Sequence, residues 1–130
     1  KIMTLGQQRF RVLDYVRETP YRVGLVEWIE DEPVEENLVP LADEVDQLLR
    51  DVVRLSAKLT SQEIEFPDDI PDLPLELSYW VASTLYGVSL EQQSLLEMQN
   101  TLSRLERESE ILTSTRNNLA ARTALKDVLE

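Results

Sequence analysis

The sequence predicts an α+β chain: a short antiparallel β portion over residues 1–30, an acidic linker over 31–39, and a helical subdomain over 40–130 that ends in a long helix. Three observations predict it. Before residue 30, apolar and polar side chains alternate with the period of two expected of half-buried strands. From Pro40 onward, apolar residues recur three and four apart, as on the buried side of a helix. Between two such stretches stand Pro67, Pro71 and Pro74, which stop helix propagation.

The first strand signal is Gln8–Leu13, where Phe10 and Val12 alternate with Arg9 and Arg11. The second is Tyr21–Ile29, with Tyr21, Val23, Leu25 and Ile29 on one face and Arg22, Gly24, Val26 and Trp28 on the other. Thr19-Pro20 directs the chain between them into an extended or turn conformation. Two strands alone are marginal in water. They require a helical layer or further strands. The opening run Lys1-Ile2-Met3-Thr4-Leu5 reads as interior strand, so the chain is expected to be a piece of a longer protein.

Pro40 suits the first position of a helix, where its missing N–H is not needed. Leu41, Val45, Leu48, Leu49, Val52, Val53, Leu55 and Leu59 then mark an amphipathic helix. Phe66 and Ile70 are apolar residues in the proline-rich loop and are expected to hold it against the body. From 73 to 112 three helices follow in succession. Leu75, Tyr79, Val81, Ala82, Leu85 and Tyr86 give the first its apolar face, and Gly87 supplies a left-handed closing residue. Ser89 and Gln92 form a capping-box pattern that starts the second, which carries Leu90, Leu95, Leu96 and Met98. Asn100 is the N-cap candidate for the third. In that last helix Leu102, Leu105, Leu112 and Leu119 hold a seam that Ser109, Arg116 and Thr123 interrupt. So polar a helix is expected to project into solvent or to pack on a partner.

Composition removes most chemistry. The 130 residues contain no cysteine and no histidine, which excludes disulfides, thiolate metal sites, cysteine nucleophiles and serine–histidine catalysis. Three glycines form neither GxxxxGK nor GxGxxG. A formal net charge of −12 makes nucleic-acid backbones and anionic membranes poor partners. No apolar run approaches the ~20 residues needed to span a bilayer, and no signal peptide opens the chain, so a cytoplasmic setting is expected. Carboxylate pairs such as Glu35-Glu36 and Asp68-Asp69 read as solvated charge rather than as an acid/base pair or a calcium loop. No cofactor and no metal site is expected. Arg9, Arg11, Arg17 and Arg22 make the strand region basic against the acidic helix at 41–59, and pairing between the two is the simplest consequence.

The run Leu5-Gly6-Gln7-Gln8-Arg9-Phe10-Arg11-Val12 resembles the G-x-x-R-x-R-I/V strand of the Lon protease N-terminal, substrate-binding domain. Leu95-Leu96-Glu97, followed after six residues by Arg104-Leu105, is similar to that family's LLE-x6-RL pattern. The resemblance covers the later part of the domain only, because the family's opening P-L-F-P-L segment is absent. It implies that the β portion is the remnant of a PUA-like barrel. It further implies a non-catalytic module that binds unfolded or damaged polypeptides, in full proteases delivering them to an ATPase and a peptidase. Neither of those enzyme parts is present in this chain. Peptide-contact candidates rest on aromatic character: Trp28, Phe66 and Trp80. The alternative is a structural or assembly module, with the long terminal helix mediating self-association to a homo-oligomer or attachment to a partner. A carboxylate-based hydrolase is the third reading.

Overall fold

A computed structural model describes residues 1–85 and 87–129. The order of elements is β1 (Phe10–Arg17), β2 (Val23–Trp28), α1 (Val39–Thr60), α2 (Pro74–Ser83), α3 (Ser89–Glu97) and α4 (Thr101–Leu129). This is the expected α+β arrangement. Tyr86 and Glu130, both assigned to helical stretches from the sequence, lie outside the described residues.

The two strands pair antiparallel as one hairpin, with a cis Thr19–Pro20 peptide in their connection. Phe10 pairs with Trp28, Val12 with Val26 and Tyr15 with Gly24, so these residues share one face. Register shifts at Leu13 and Val16 keep that face in phase along β1. Gly24 leaves room here: a Cβ would stand 3.4 Å from a methyl of Val12. Among the described residues no helical layer covers the hairpin, and nearly all of its side chains are exposed. The opening residues 1–7 form no strand, contrary to the expectation from their composition.

The core lies among the helices. Ala42, Val45, Leu48 and Leu49 of α1 meet Leu77 and Val81 of α2 and Leu105 and Leu112 of α4. Pro40 is the second residue of α1, not the first as expected, though still in the first turn where its missing N–H is not needed, and Ser61 ends the helix in a left-handed conformation at φ 54°. Phe66 lies beneath the Arg50 and Arg54 guanidiniums at 5.0 and 5.3 Å, and Ile70 packs on the core. Both hold the proline-rich loop as expected. In α2 the buried stripe is Leu77, Ser78 and Val81, not Leu75 and Tyr79, because the side toward α1 and α4 carries positions 77 and 81.

Two further expectations change. Ser89 is the first residue of α3, not its cap, and Gln92 donates to the Ala82 carbonyl at 3.0 Å instead of closing a capping box. Gly87 does take the left-handed conformation, with φ 81°, but it does not close α2, which ends at Ser83 with Thr84 as its cap. At α4 the Asn100 side chain accepts from the Ser103 N–H at 3.0 Å, a true N-cap. α4 neither projects nor waits for a partner along most of its length. It runs beside α1, buries Leu105 and Leu112 there, and joins its end through Lys58–Asp127 at 3.0 Å. Among the described residues no helix is long and apolar enough to cross a membrane.

Candidate functional site

The hairpin meets the helices at one point, and that point is charged. Asp31, the residue after the buried Ile29 and the exposed Glu30, turns inward from the acidic linker. There it receives Arg104 from the first turn of α4 in a two-pronged contact, Nη1 to Oδ2 at 2.8 Å and Nη2 to Oδ1 at 2.7 Å. Arg9, just before β1, donates to the same Oδ1 at 2.7 Å. Thr101 donates to Oδ2 at 2.5 Å and the Tyr79 hydroxyl to Oδ1 at 3.2 Å. The Tyr79 ring lies under both guanidiniums, 4.3 Å from Arg104 and 5.2 Å from Arg9.

Arg104 is 0% exposed, a position that an arginine holds only when its donors are satisfied. All five of its N–H groups are used: two on Asp31, one each on the Ser78 hydroxyl (3.1 Å), the Leu95 carbonyl (3.3 Å) and the Met98 carbonyl (2.6 Å). Arg9 adds bonds to the carbonyls of Leu96 (2.7 Å) and Met98 (2.6 Å). The two arginines thus finish the C-terminal end of α3, whose free carbonyls and dipole favour positive charge. Burial would raise the Asp31 pKa. The hydrogen bonds of Arg104 and Thr101 and the charges of Arg104 and Arg9 outweigh it and hold Asp31 down to about 2.

One turn along α4, Glu108 is also 0% exposed, and neither carboxylate oxygen has a hydrogen-bond partner among the described residues. Burial pushes its pKa up to about 9 against the opposing charge of Arg104, so the group is a neutral acid at pH 7. Arg104, Leu105, Glu108 and Leu112 form one buried stripe of α4.

Around this junction runs an open cleft. A hollow of about 700 Å³ is bounded by residues 6–9 together with Ile29, Glu30, Leu75, Tyr79 and Leu96. A second hollow of about 550 Å³ shares residues 6–9 and is bounded further by Phe10, Val12, Gln93, Leu96 and Glu97. Ile29 and Leu96 border both. The walls are mainly apolar, with glutamine amides and two exposed glutamates at their margins. Among the described residues no group of three or more acidic side chains converges as metal ligands do.

The three aromatics singled out from the sequence do not form one site. Trp28 is 65% exposed on the hairpin, edge-on to Phe10 with ring centroids 6.3 Å apart. Phe66 is occupied by Arg50 and Arg54 of α1, and Trp80 packs on the helical core. The basic residues of the strand region do not reach the acidic helix either. Arg9 turns to Asp31, Arg11 pairs with Glu27 across the hairpin, and Arg17 and Arg22 stack on Tyr21 and Tyr15. Each of these arginines thus has a partner within the hairpin or in the linker that follows it. Sequence reasoning missed Asp31 and Glu108, and it took Arg104 only as part of the family pattern, not as a buried partner of Asp31. The available signal was spacing, since 104, 108 and 112 place two charged residues on the stripe that holds Leu112.

Comparison with known proteins bears on the whole of this arrangement. The family model described as the ATP-dependent protease La (LON) substrate-binding domain matches residues 1–114. That span includes both strands, α1 to α3 and the first half of α4. Lon protease 2 of Myxococcus xanthus is 28% identical over 120 residues, 91% of this chain. Lon protease of Anaeromyxobacter dehalogenans (strain 2CP-C) matches to the same extent. The chain spans 14% of the length of each of these relatives.

Proposed function

The chain belongs to the substrate-binding domain family of ATP-dependent protease La, and from that premise we propose that it is a non-catalytic module recognising unfolded or damaged polypeptides. One observation carries the reading. The hairpin presents Phe10, Val12, Tyr15, Val26 and Trp28 on a single exposed face, with both sheet edges unpaired among the described residues. Contiguous apolar surface of this kind marks interaction sites, and a free edge can accept an extended segment by main-chain hydrogen bonds. Trp28 is the anchor of this face, since it is large, exposed and oriented by its contact with Phe10. Phe66 and Trp80 have intramolecular partners and contribute less in this reading.

The test is titration of the purified chain into a fluorescently labelled, permanently unfolded polypeptide. Saturable binding is expected, weakened roughly tenfold by Trp28→Ala, since an aromatic anchor contributes more than about 1 kcal/mol. A folded protein that shows no saturable binding overturns the proposal.

A second reading, assembly through α4, keeps one observation in its favour. Leu105 and Leu112 are covered within the chain, but Leu125, Val128 and Leu129 at the end of the helix are exposed. A dimer mass by light scattering that Leu125→Lys abolishes would support it.

A further inference from the structure

We propose that the cleft beneath the hairpin selects polypeptide segments in which an apolar side chain is flanked by lysine or arginine. This rests on the polypeptide-binding reading and specifies which sequences the module prefers.

The argument is one of complementary shape and charge. Ile29, Leu75, Tyr79 and Leu96 line an open hollow of about 700 Å³, and Leu96 continues into the neighbouring one of about 550 Å³. That is room for a large apolar side chain with its adjoining backbone. The cleft's cations are already engaged. Arg9 is spent on Asp31 and the end of α3, and Arg11 on Glu27. Its free charges are therefore acidic. Glu30 borders the larger hollow and Glu97 the smaller one; both are exposed, Glu97 accepts only a neutral amide bond from Gln93 at 3.2 Å among the bonds given for the described residues, and neither makes an ion pair among those residues. Gln7 and Gln8 line both hollows with side-chain amides that can meet a main chain. A segment lying across residues 6–9 would thus find an apolar socket between two carboxylates. The net charge of −12 adds attraction for any basic ligand, so the test separates that general field from the two named groups.

Three labelled decapeptides with the same aromatic–aliphatic centre and lysine, serine or glutamate flanks are titrated at low and physiological salt. The lysine-flanked peptide is expected to bind about fourfold more tightly than the serine-flanked one, as two exposed ion pairs contribute roughly twofold each. Glu30→Gln/Glu97→Gln is expected to abolish that preference, so that lysine- and serine-flanked peptides bind this variant alike. Asp68→Asn/Asp69→Asn, an equal charge change in an exposed loop away from the cleft, is expected to keep it. Equal loss in both double variants would assign the preference to net charge and overturn the proposal. So would serine- and lysine-flanked peptides binding alike. If no peptide binds, including the serine-flanked one, the polypeptide-binding reading itself fails. A dimer mass that Leu96→Asp converts to monomer would give the cleft to a second copy of the chain instead.

Discussion

Asp31 and Arg104 lie 73 residues apart in the sequence and meet through two parallel hydrogen bonds of 2.8 and 2.7 Å. One residue belongs to the linker after the hairpin and the other to the first turn of α4. Their contact is what orients the β portion on the helices, with Arg9 as a second tie to the same carboxylate.

Removing the carboxylate strands a guanidinium in the interior. Asp31→Ala is expected to destabilise the chain by about 3–5 kcal/mol, the usual consequence of breaking one side of a buried pair. Glu35→Ala, in the same acidic linker but exposed, is expected to change stability by less than ~0.5 kcal/mol. Urea unfolding followed by far-UV circular dichroism measures both.

Acid should act through the same residue. The folded-state pKa of Asp31 lies at about 2, below its ordinary value of 3.8. Its contribution is therefore complete above about pH 5 and is lost as pH falls through 4 to 2, amounting to about 2–3 kcal/mol at ~1.4 kcal/mol per unit. Urea midpoints across that window should fall less steeply in Asp31→Asn than in the parent chain.

Glu108 works in the opposite sense. Its carboxyl stays protonated to about pH 9 when folded but ionises near 4.5 when unfolded. The unfolded state therefore binds fewer protons between those values, and stability declines as pH rises through them, by up to about 1.4 kcal/mol per unit. Glu108→Leu is expected to remove that slope and to raise the melting temperature at pH 8. Unchanged melting at pH 8 would show that the buried acid has found a partner.

The two candidate caps give a further contrast. Asn100→Ala removes an acceptor from the Ser103 N–H and is expected to cost about 1 kcal/mol. Ser89→Ala removes no capping bond and is expected to cost less than ~0.5 kcal/mol. Thermal melts of the two variants decide this directly.

The elements that were legible in the sequence are those set by local chemistry. Pro40, Asn100 and Gly87 each do what their own backbone or side chain favours, and the alternation around Phe10 and Trp28 gives the hairpin pairing. The junction was not legible because its members carry no local mark. Asp31 stands between Glu30 and Glu32, and nothing in that run separates the buried acid from two exposed ones. Arg9 and Arg104 were singled out as parts of two recognisable patterns, yet nothing in either pattern says that they share one carboxylate. Ser89-x-x-Gln92 shows the converse: a good local pattern lost to a tertiary acceptor, the carbonyl of Ala82.

The end of α3 carries a consequence of its own. Nine residues are too few for a helix to persist unaided in water, where roughly 12–15 are needed. This one buries a single side chain, Leu95, and its last carbonyls are held by Arg9 and Arg104. Its amide protons should therefore exchange with solvent at a rate set by how firmly the hairpin is seated. A peptide that tightens the hairpin on the helices would slow deuterium uptake in residues 92–97, and one that loosens it would speed that uptake. This short helix is then the chain's gauge of occupancy, readable by mass without a label on the ligand.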